Sequence, residues 1–258
     1  MELLNKNYGK KVLLLFMTVI GMLLLLSTSV SAAATIHWGY GGSENPTQWA
    51  KLSNDFALCE LGRDQSPINI QDAVDGSPAK ITFNYNPSPL EVVNNGHTIQ
   101  VNYAPGSTVN INGDKYSLLQ FHFHTPSEHN INEKAAAMEL HLVHRNELGQ
   151  LAVVGAMINK GKENSLIEDV WKNIPAVGET NTVSDRLVNA TDLLPKSKAY
   201  YSYEGSLTTP PCSEGVKWNL FVEPLTLSEA QIDAFEKMYQ VDARPLQPIN
   251  GRVVQLHR

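Results

Sequence analysis

Apolar and polar side chains alternate with a period of two in several short segments of the chain. Ile81, Phe83 and Tyr85 form one such segment, and this alternation is typical of a strand with one buried face. Two turn sequences, Asn94-Asn95-Gly96 and Asn112-Gly113-Asp114, each separate a pair of strand-like segments, as in hairpins. Because hairpins join antiparallel strands and no β-α-β alternation accompanies them, we expect a large, mostly antiparallel sheet rather than a Rossmann-type sheet.

Few segments have the pattern of a helix. The clearest runs from Ser228 to about Tyr239, where Ser228 and Gln231 match a capping box. A shorter candidate covers Ser165 to Asn173. The apolar run from Leu151 to Ile158 predicts instead a strand that is buried on both faces. The predicted fold is therefore mostly β (α+β), with a few helices around the sheet.

Residues 1–34 have the composition of a signal peptide that is removed on export. Three lysines precede an apolar run from Val12 to Leu26, and the small residues that follow allow cleavage after Ala32 or Ala34. The alternative is an uncleaved membrane anchor, because the apolar segment nearly reaches the length of a bilayer span. Cleavage would leave residues 35–258 as one exported domain, periplasmic or extracellular, without stable membrane association.

The charge balance argues against nucleic acid as a partner. Residues 1–34 contain three Lys and one Glu, so their removal takes the net charge from −6 to −8. Such an acidic protein has no electrostatic reason to bind phosphate backbones or anionic lipid.

The chain has two cysteines, Cys59 and Cys212, which lie far apart in the sequence. In an oxidising compartment we expect them to form one disulfide, and two buried free thiols are the alternative. Since no Cys-x-x-Cys pair is present, a thiolate zinc site or a redox motif is not expected.

Three histidines have the spacing of a metal site. In a strand over residues 118–124, His122 and His124 point to the same face, together with Gln120. In a second strand, His141 shares a face with Glu139. If the two strands pair, the three imidazoles converge on one point above the sheet.

Three imidazoles suit Zn²⁺, and three protein ligands leave the fourth tetrahedral position open for water, as in catalytic zinc sites. A ligating histidine usually donates its other N–H to a polar group, and Gln120 and Glu139 are well placed to accept. The alternative is that these histidines share a sheet face by chance and bind no metal.

These segments closely resemble the α-class carbonic anhydrases over nearly all of residues 35–258. The matching motifs occur in the family's order: His37-Trp38-Gly39-Tyr40, Gln65-Ser66-Pro67-Ile68-Asn69-Ile70, Asn94-Asn95-Gly96-His97, Gln120-Phe121-His122-Phe123-His124, Ser127-Glu128-His129, Glu139-Leu140-His141-Leu142-Val143-His144, Ser206-Leu207-Thr208-Thr209-Pro210-Pro211-Cys212 and Arg244-Pro245-Leu246-Gln247-Pro248. The resemblance implies a single domain on a twisted, mostly antiparallel ten-stranded central sheet, and a Cys59–Cys212 disulfide.

The resemblance also implies the activity, that of a zinc-dependent lyase which reversibly hydrates carbon dioxide to bicarbonate and a proton through zinc-bound hydroxide. In the family pattern Thr208 accepts a hydrogen bond from the hydroxide and donates one to Glu128, which as an ionised carboxylate can only accept. His97 matches the proton shuttle, a role that suits an imidazole titrating near neutral pH.

Two further groups of residues match family positions. The substrate pocket, whose apolar wall suits carbon dioxide, is matched by Val143, Val153, Leu207, Thr208, Thr209 and Trp218. The polar residues that order water between zinc and shuttle are matched by Tyr40, Asn95 and Gln100. Gln100 stands where many members carry Asn, a difference that affects the tuning of the relay.

Two alternatives remain open from the sequence. His122-x-His124 followed by Glu128 also resembles part of a cupin metal motif, although Tyr116 and Ala135 stand where cupins have Gly. A non-catalytic binding protein on the same fold is the second alternative, but such relatives typically lose zinc histidines. Sulfonamides and anions are the expected inhibitors, and a monomer or homodimer is the expected assembly.

Overall fold

The structure is a computed structural model that describes residues 36–78 and 80–258. Residues 37–258 form one compact unit. The predicted signal peptide, residues 1–34, lies outside the described residues, so that assignment stays a prediction.

Strands make up most of the regular structure. Their bounds are β1 (Asn69–Ile70), β2 (Val74–Asp75), β3 (Ile81–Asn84), β4 (Ser88–Asn94), β5 (Ile99–Asn102), β6 (Thr108–Ile111), β7 (Asp114–His124), β8 (Asn130–Ile131), β9 (Met138–Arg145), β10 (Leu151–Lys160), β11 (Glu179–Val188), β12 (Tyr200–Ser206), β13 (Glu214–Phe221), β14 (Leu225–Leu227) and β15 (Gln255–His257).

The helices of the described residues are short. They are α1 (Trp49–Leu52), α2 (Leu58–Leu61), α3 (Ser165–Lys172) and α4 (Glu229–Glu236), with 3-10 turns at Gly42–Glu44, Asn54–Phe56 and Ala190–Leu193. None of them has the length and apolar character that a membrane crossing requires.

Both helices expected from the sequence are present. The capping box at the start of α4 is formed as predicted: the Ser228 side chain accepts from the Gln231 N–H, and the Gln231 side chain accepts from the Ser228 N–H. The regular helix ends at Glu236, earlier than the predicted end near Tyr239.

One large mixed sheet dominates the fold. Its continuous path contains ten strands in the order β11-β4-β5-β7-β9-β10-β13-β12-β15-β2, and β3, β6 and β14 join it off this path. Most neighbours pair antiparallel, while β10 pairs parallel with β13 and β14, and β15 with β2. The prediction of a mostly β fold on a large, mostly antiparallel sheet is confirmed, and the parallel pairs make the sheet mixed.

One face of this sheet holds the main core. Strand β9 contributes Leu140 and Leu142 and strand β10 contributes Val154 and Ala156, while helix residues such as Phe235 cover them. A second apolar cluster, the site-face cluster, occupies the other face; it consists of Ile68, Ile70, Val143, Val153, Met157, Tyr203, Val216, Trp218, Leu220 and Val254. Strand β10 is therefore buried on both faces, as its unbroken apolar run predicted.

A β-bulge at Leu119 sets which residues of β7 face the main core. The register against β9 shifts between Leu118 and Gln120. Leu118 belongs to the main core before the bulge and Phe121 after it, three positions further on, while Leu119 is half-buried outside both clusters. Leu119 therefore does not share the buried face of Phe121, although strict alternation along the strand would place the two side chains together. Bulges of this kind re-aim side chains near active sites.

The two cysteines are joined in a disulfide, as predicted, and the free-thiol alternative is wrong. Cys59 and Cys212 pack with the buried Trp49, and Trp38 and Tyr40 lie against the same small cluster. The bond therefore ties the N-terminal segment to the loop that follows β12.

Removing this disulfide should destabilise the fold through the unfolded state. The bridged residues are 153 positions apart, and closing so long a loop is worth about 5 kcal/mol at most in the chain-entropy model. We expect a Cys59→Ala/Cys212→Ala variant to unfold at lower denaturant than the oxidised wild type, with zinc present at the same concentration in both. The wild type treated with reductant is the matched control and should approach the variant. Equal unfolding midpoints for the variant and the oxidised wild type would contradict this expectation.

Candidate metal centre

Strand pairing brings the three predicted histidines together. His122 of β7 lies directly opposite His141 of β9, and His124 follows two positions along β7 on the same face. The centroids of the three rings lie 4.7 to 5.2 Å apart. The convergence that the sequence pattern predicted is thus present.

Each of these imidazoles uses one ring nitrogen for a hydrogen bond to a protein oxygen on the side away from the other two histidines. His122 Nδ1 lies 2.8 Å from Gln120 Oε1, and His141 Nε2 lies 2.8 Å from Glu139 Oε1. These are the two partners predicted from the sequence. Since amide and carboxylate oxygens can only accept, each ring must donate through that nitrogen, which fixes the tautomer.

The partner of His124 could not be predicted from local spacing. Its Nδ1 lies 2.7 Å from the main-chain oxygen of Asp242, which is 118 residues away in the sequence. The Asp242 carboxylate in turn accepts the N–H of Thr125, directly after His124. Because every residue has a backbone carbonyl, the residue type at position 242 does not predict this contact.

The three remaining nitrogens form a donor set that fits a metal ion. The nitrogens left with free lone pairs are His122 Nε2, His124 Nε2 and His141 Nδ1. One ligand nitrogen from each of the three rings lies within 4.8 Å of the other two. His124 Nε2 is buried without a hydrogen-bond partner among the described residues, which is costly unless a ligand completes it. Three imidazole nitrogens held in this way suit Zn²⁺.

The site favours neutral imidazoles at two of the three positions. Burial lowers the pKa of His122 well below its ordinary value, and the neighbouring histidines act in the same direction. Burial also lowers the pKa of His141, against the opposing effect of Glu139. For His124 the carboxylates of Glu128 and Asp242 outweigh burial and raise the pKa. Neutral rings are the form that binds a metal.

Glu128 lies beside the histidines and is nearly inaccessible to solvent. Its Oε1 accepts the main-chain N–H of Arg244 at 2.9 Å. Its Oε2 is buried, has no hydrogen-bond partner in the described part of the chain, and lies 3.6 Å from His124 Nε2. Thr208 is buried as well, but the hydrogen bonds of the described residues do not include one from Thr208 to Glu128. That bond stays a prediction.

Comparison with known proteins decides the family. The family model described as eukaryotic-type carbonic anhydrase matches residues 44–258. The chain belongs to the α-class carbonic anhydrase family. A carbonic anhydrase from Nostoc sp. is 44% identical over 88% of each chain. One from Pectobacterium carotovorum is 43% identical over 90% of this chain and 96% of its own.

A solved structure gives the same answer at the level of the fold. The α-carbonic anhydrase of Thermovibrio ammonificans, in complex with the inhibitor sulfanilamide, superimposes with a TM-score of 0.83 at 42% identity. The match covers 85% of this chain and 99% of that one. The chain is thus an enzyme of the carbonic anhydrase family, whose reaction is the hydration of carbon dioxide. The cupin and non-catalytic alternatives are wrong.

Four of the six residues matched to the carbonic anhydrase substrate pocket lie in or against the site-face cluster. Val143, Val153 and Trp218 are buried members of the site-face cluster, and the half-buried Leu207 packs against it. The Trp218 ring lies edge-on to His141, with centroids 4.9 Å apart. Thr209 is half-buried, one residue beyond Thr208. The apolar wall is therefore adjacent to the donor set.

His97 lies on the turn between β4 and β5, half-exposed and stacked on Trp38. The two rings are 3.7 Å apart and nearly parallel, at 5°. The Asn95 side chain accepts the N–H groups of His97 and Thr98 and so holds the turn. Burial lowers the pKa of His97, and the nearby His37 lowers it further. His97 is therefore mostly neutral at neutral pH.

The other two residues matched to the carbonic anhydrase relay flank the site. Gln100 lies opposite His122 across the β5–β7 pair and donates to Asn102. Burial raises the pKa of Tyr40 well above its ordinary value, and the charge of Glu128 acts in the same direction. The Tyr40 hydroxyl therefore stays protonated at neutral pH.

The hydrogen bond from His122 to Gln120 should contribute to metal affinity. In a Gln120→Leu variant the His122 N–H loses its acceptor. Zinc affinity should then fall roughly 10- to 100-fold, as it does when other residues that hydrogen-bond to metal ligands are replaced. Competition with a chelator measures this affinity. Asn102→Leu is the matched control, because Asn102 lies opposite Gln120 in the neighbouring strand and bonds to Gln100 and Glu91 instead. Equal zinc affinities for the two variants would contradict the role of Gln120.

Proposed function

We propose that this enzyme reversibly hydrates carbon dioxide with Zn²⁺ held by His122, His124 and His141, and that His97 carries the proton away. The observation that carries the proposal is the orientation of the three imidazoles. Each has one nitrogen committed to an oxygen acceptor and the other directed into a shared donor set. With zinc held by these three residues, the site would supply a nucleophile at neutral pH, because the ion lowers the pKa of water bound to it; carbonic anhydrase is itself the standard example of this effect.

Glu128 and Thr208 are proposed to orient the attacking group. Glu128 Oε2 is buried and forms no hydrogen bond with any residue that the structure describes, and an ionised carboxylate can only accept. The Thr208 hydroxyl would therefore donate its one hydrogen bond to Glu128. The Thr208 oxygen could then accept a hydrogen bond from the nucleophile. This arrangement directs a lone pair at the substrate and places little demand on reorganisation in the reaction.

The apolar wall is proposed to hold carbon dioxide beside the nucleophile. Val143, Val153, Leu207 and Trp218 present hydrocarbon and ring surface next to His141. A small apolar substrate gains more from such a surface than from hydrogen-bond donors. Thr209 is proposed to help place bicarbonate or the water that displaces it.

His97 is proposed to relay the proton to solvent, with Tyr40, Asn95 and Gln100 ordering the water between. A ring that is half-exposed and mostly neutral at pH 7 can accept a proton from the site and release it to buffer. The stacking on Trp38 holds that ring near the surface.

The proposed location is outside the cytoplasm, in the periplasm or the extracellular space. The disulfide between Cys59 and Cys212 supports an oxidising compartment. The signal-like composition of residues 1–34 supports export. We also propose that aromatic sulfonamides and small anions inhibit the enzyme, because the Thermovibrio ammonificans relative was solved in complex with sulfanilamide. A monomer or a homodimer is proposed as the assembly.

Zinc-dependent hydration is tested by stopped-flow measurement of carbon dioxide hydration. The zinc-loaded enzyme should greatly exceed the buffer rate and be inhibited by sulfanilamide, whereas His141→Ala should lose both metal and activity. His257→Ala is the matched control, since His257 is also buried but bonds to Ser202 and Ser77 away from the site. A zinc-loaded wild type that shows only the buffer rate would refute the proposed function.

Replacing His97 should slow proton transfer without affecting metal binding. We expect His97→Ala to keep its zinc and its kcat/KM, to lose kcat in dilute buffer, and to recover when imidazole buffer is added. In the wild type the His97-dependent part of kcat should be present at neutral pH and fall as the pH drops through the lowered His97 pKa, below 6.5, because a protonated ring cannot accept. A kcat that is independent of buffer in the variant would rule out this role.

A further inference from the structure

Arg244 is a buried cation, and among the described residues its guanidinium donates hydrogen bonds only to neutral oxygens. Its Nη1 donates to Gln65 Oε1 at 2.8 Å and to the main-chain oxygen of Ser66 at 2.7 Å. Its Nη2 donates to the main-chain oxygen of Cys59 at 2.8 Å. The guanidinium carbon lies 5.8 Å from the centre of the Trp49 ring. The side chain is thus held on several sides and is only 3% exposed.

The main chain of the same residue bonds to the proposed orienting carboxylate. The Arg244 N–H donates to Glu128 Oε1 at 2.9 Å, which leaves Oε2 as the oxygen available to Thr208. A rotation of this carboxylate about its Cγ–Cδ bond would turn Oε2 away from its proposed partner. The position of one backbone N–H therefore controls the acceptor geometry.

Two of the three acceptors of the guanidinium belong to residues linked to the disulfide. Cys59 is bridged to Cys212, and Gln65 donates through Nε2 to the main-chain oxygen of Cys212. The planar guanidinium of Arg244 thus bonds to residues that the disulfide helps to hold in place. The flexible ammonium of a lysine could not donate to all three acceptors in the same fixed plane.

Electrostatics agree with this geometry. Burial lowers the pKa of Arg244 to about 10, and the negative charge of Glu128 acts in the opposite direction. The guanidinium therefore remains charged at neutral pH.

We propose that Arg244 is a positioning residue for hydration: its guanidinium fork fixes the backbone N–H that orients Glu128. This inference rests on the orienting role proposed above for Glu128. A purely structural role is the competing account, since a buried and multiply bonded arginine also stabilises a fold.

Arg252 provides a matched control for that structural role. Its guanidinium also donates to several main-chain oxygens, including that of Gln65, and lies over the Tyr203 ring. Neither its side chain nor its backbone bonds to Glu128 among the described hydrogen bonds. Arg252→Gln should therefore lower Tm without a comparable loss of kcat/KM.

The test is a double-mutant cycle between Arg244→Gln and Glu128→Gln. Zinc content, Tm and kcat/KM are measured for each zinc-loaded variant, with kcat/KM expressed per zinc-bound protein. We expect Arg244→Gln to lose roughly 10- to 100-fold in kcat/KM, the scale of a misplaced catalytic group. In the Glu128→Gln background the same change should cost almost nothing in kcat/KM while still lowering Tm. Arg244→Lys, which keeps the charge but not the fork, should resemble Arg244→Gln.

Three results would overturn the inference. Equal losses of kcat/KM from Arg244→Gln in both backgrounds would show that Arg244 does not act through Glu128. Full kcat/KM in Arg244→Lys would show that charge alone suffices. An Arg252→Gln loss in kcat/KM as large as that of Arg244→Gln would show general loosening of the fold. Wild-type kcat/KM in Glu128→Gln would instead refute the proposed role of Glu128, on which the inference depends, while zinc-dependent hydration by the wild type would stand.

Discussion

The antiparallel pairing of β7 with β9 is the constraint on which the metal centre depends. Its register places His122 opposite His141. The bulge at Leu119 lets β7 bury apolar side chains on one face along its whole length while the histidines lie on the other. Aromatic side chains such as Phe121 enter the main core on one side, while the histidines face the site on the other. A slip of one residue would exchange the two sets. The burial of the core therefore holds the geometry of the donor set.

Around this pairing, the site is stiffened by oxygen acceptors from three distinct places. Gln120 and Glu139 come from the same strands as the histidines that they hold, whereas the Asp242 carbonyl comes from the C-terminal segment. The same segment supplies the Arg244 N–H to Glu128. One stretch of irregular chain thus fixes both a proposed metal ligand and the proposed orienting carboxylate. Hydrogen bonds of this kind are what keep ligands preorganised in the absence of regular secondary structure.

One face of the sheet carries the main core, and the other carries both the site-face cluster and the histidines. Strand β10 is apolar along both faces, yet only the side that carries Val153 lies next to the histidines. A wall residue such as Trp218 therefore serves the fold and the site together, as its position in the site-face cluster and against His141 shows. A substitution there changes packing and substrate surface at once, so effects on stability and on rate must be measured separately.

The sequence by itself determined the strand-rich fold, the capping box at Ser228 and the common face of the three histidines. These are local properties, since period-two alternation and i, i+2 spacing follow directly from strand geometry. It also marked Gln120 and Glu139, because they precede their histidines by two residues. Only the tertiary structure decided the bulge at Leu119 and the contacts of the segment from Asp242 to Arg244. Those contacts join residues more than a hundred positions apart, largely through backbone atoms, which every residue type carries alike.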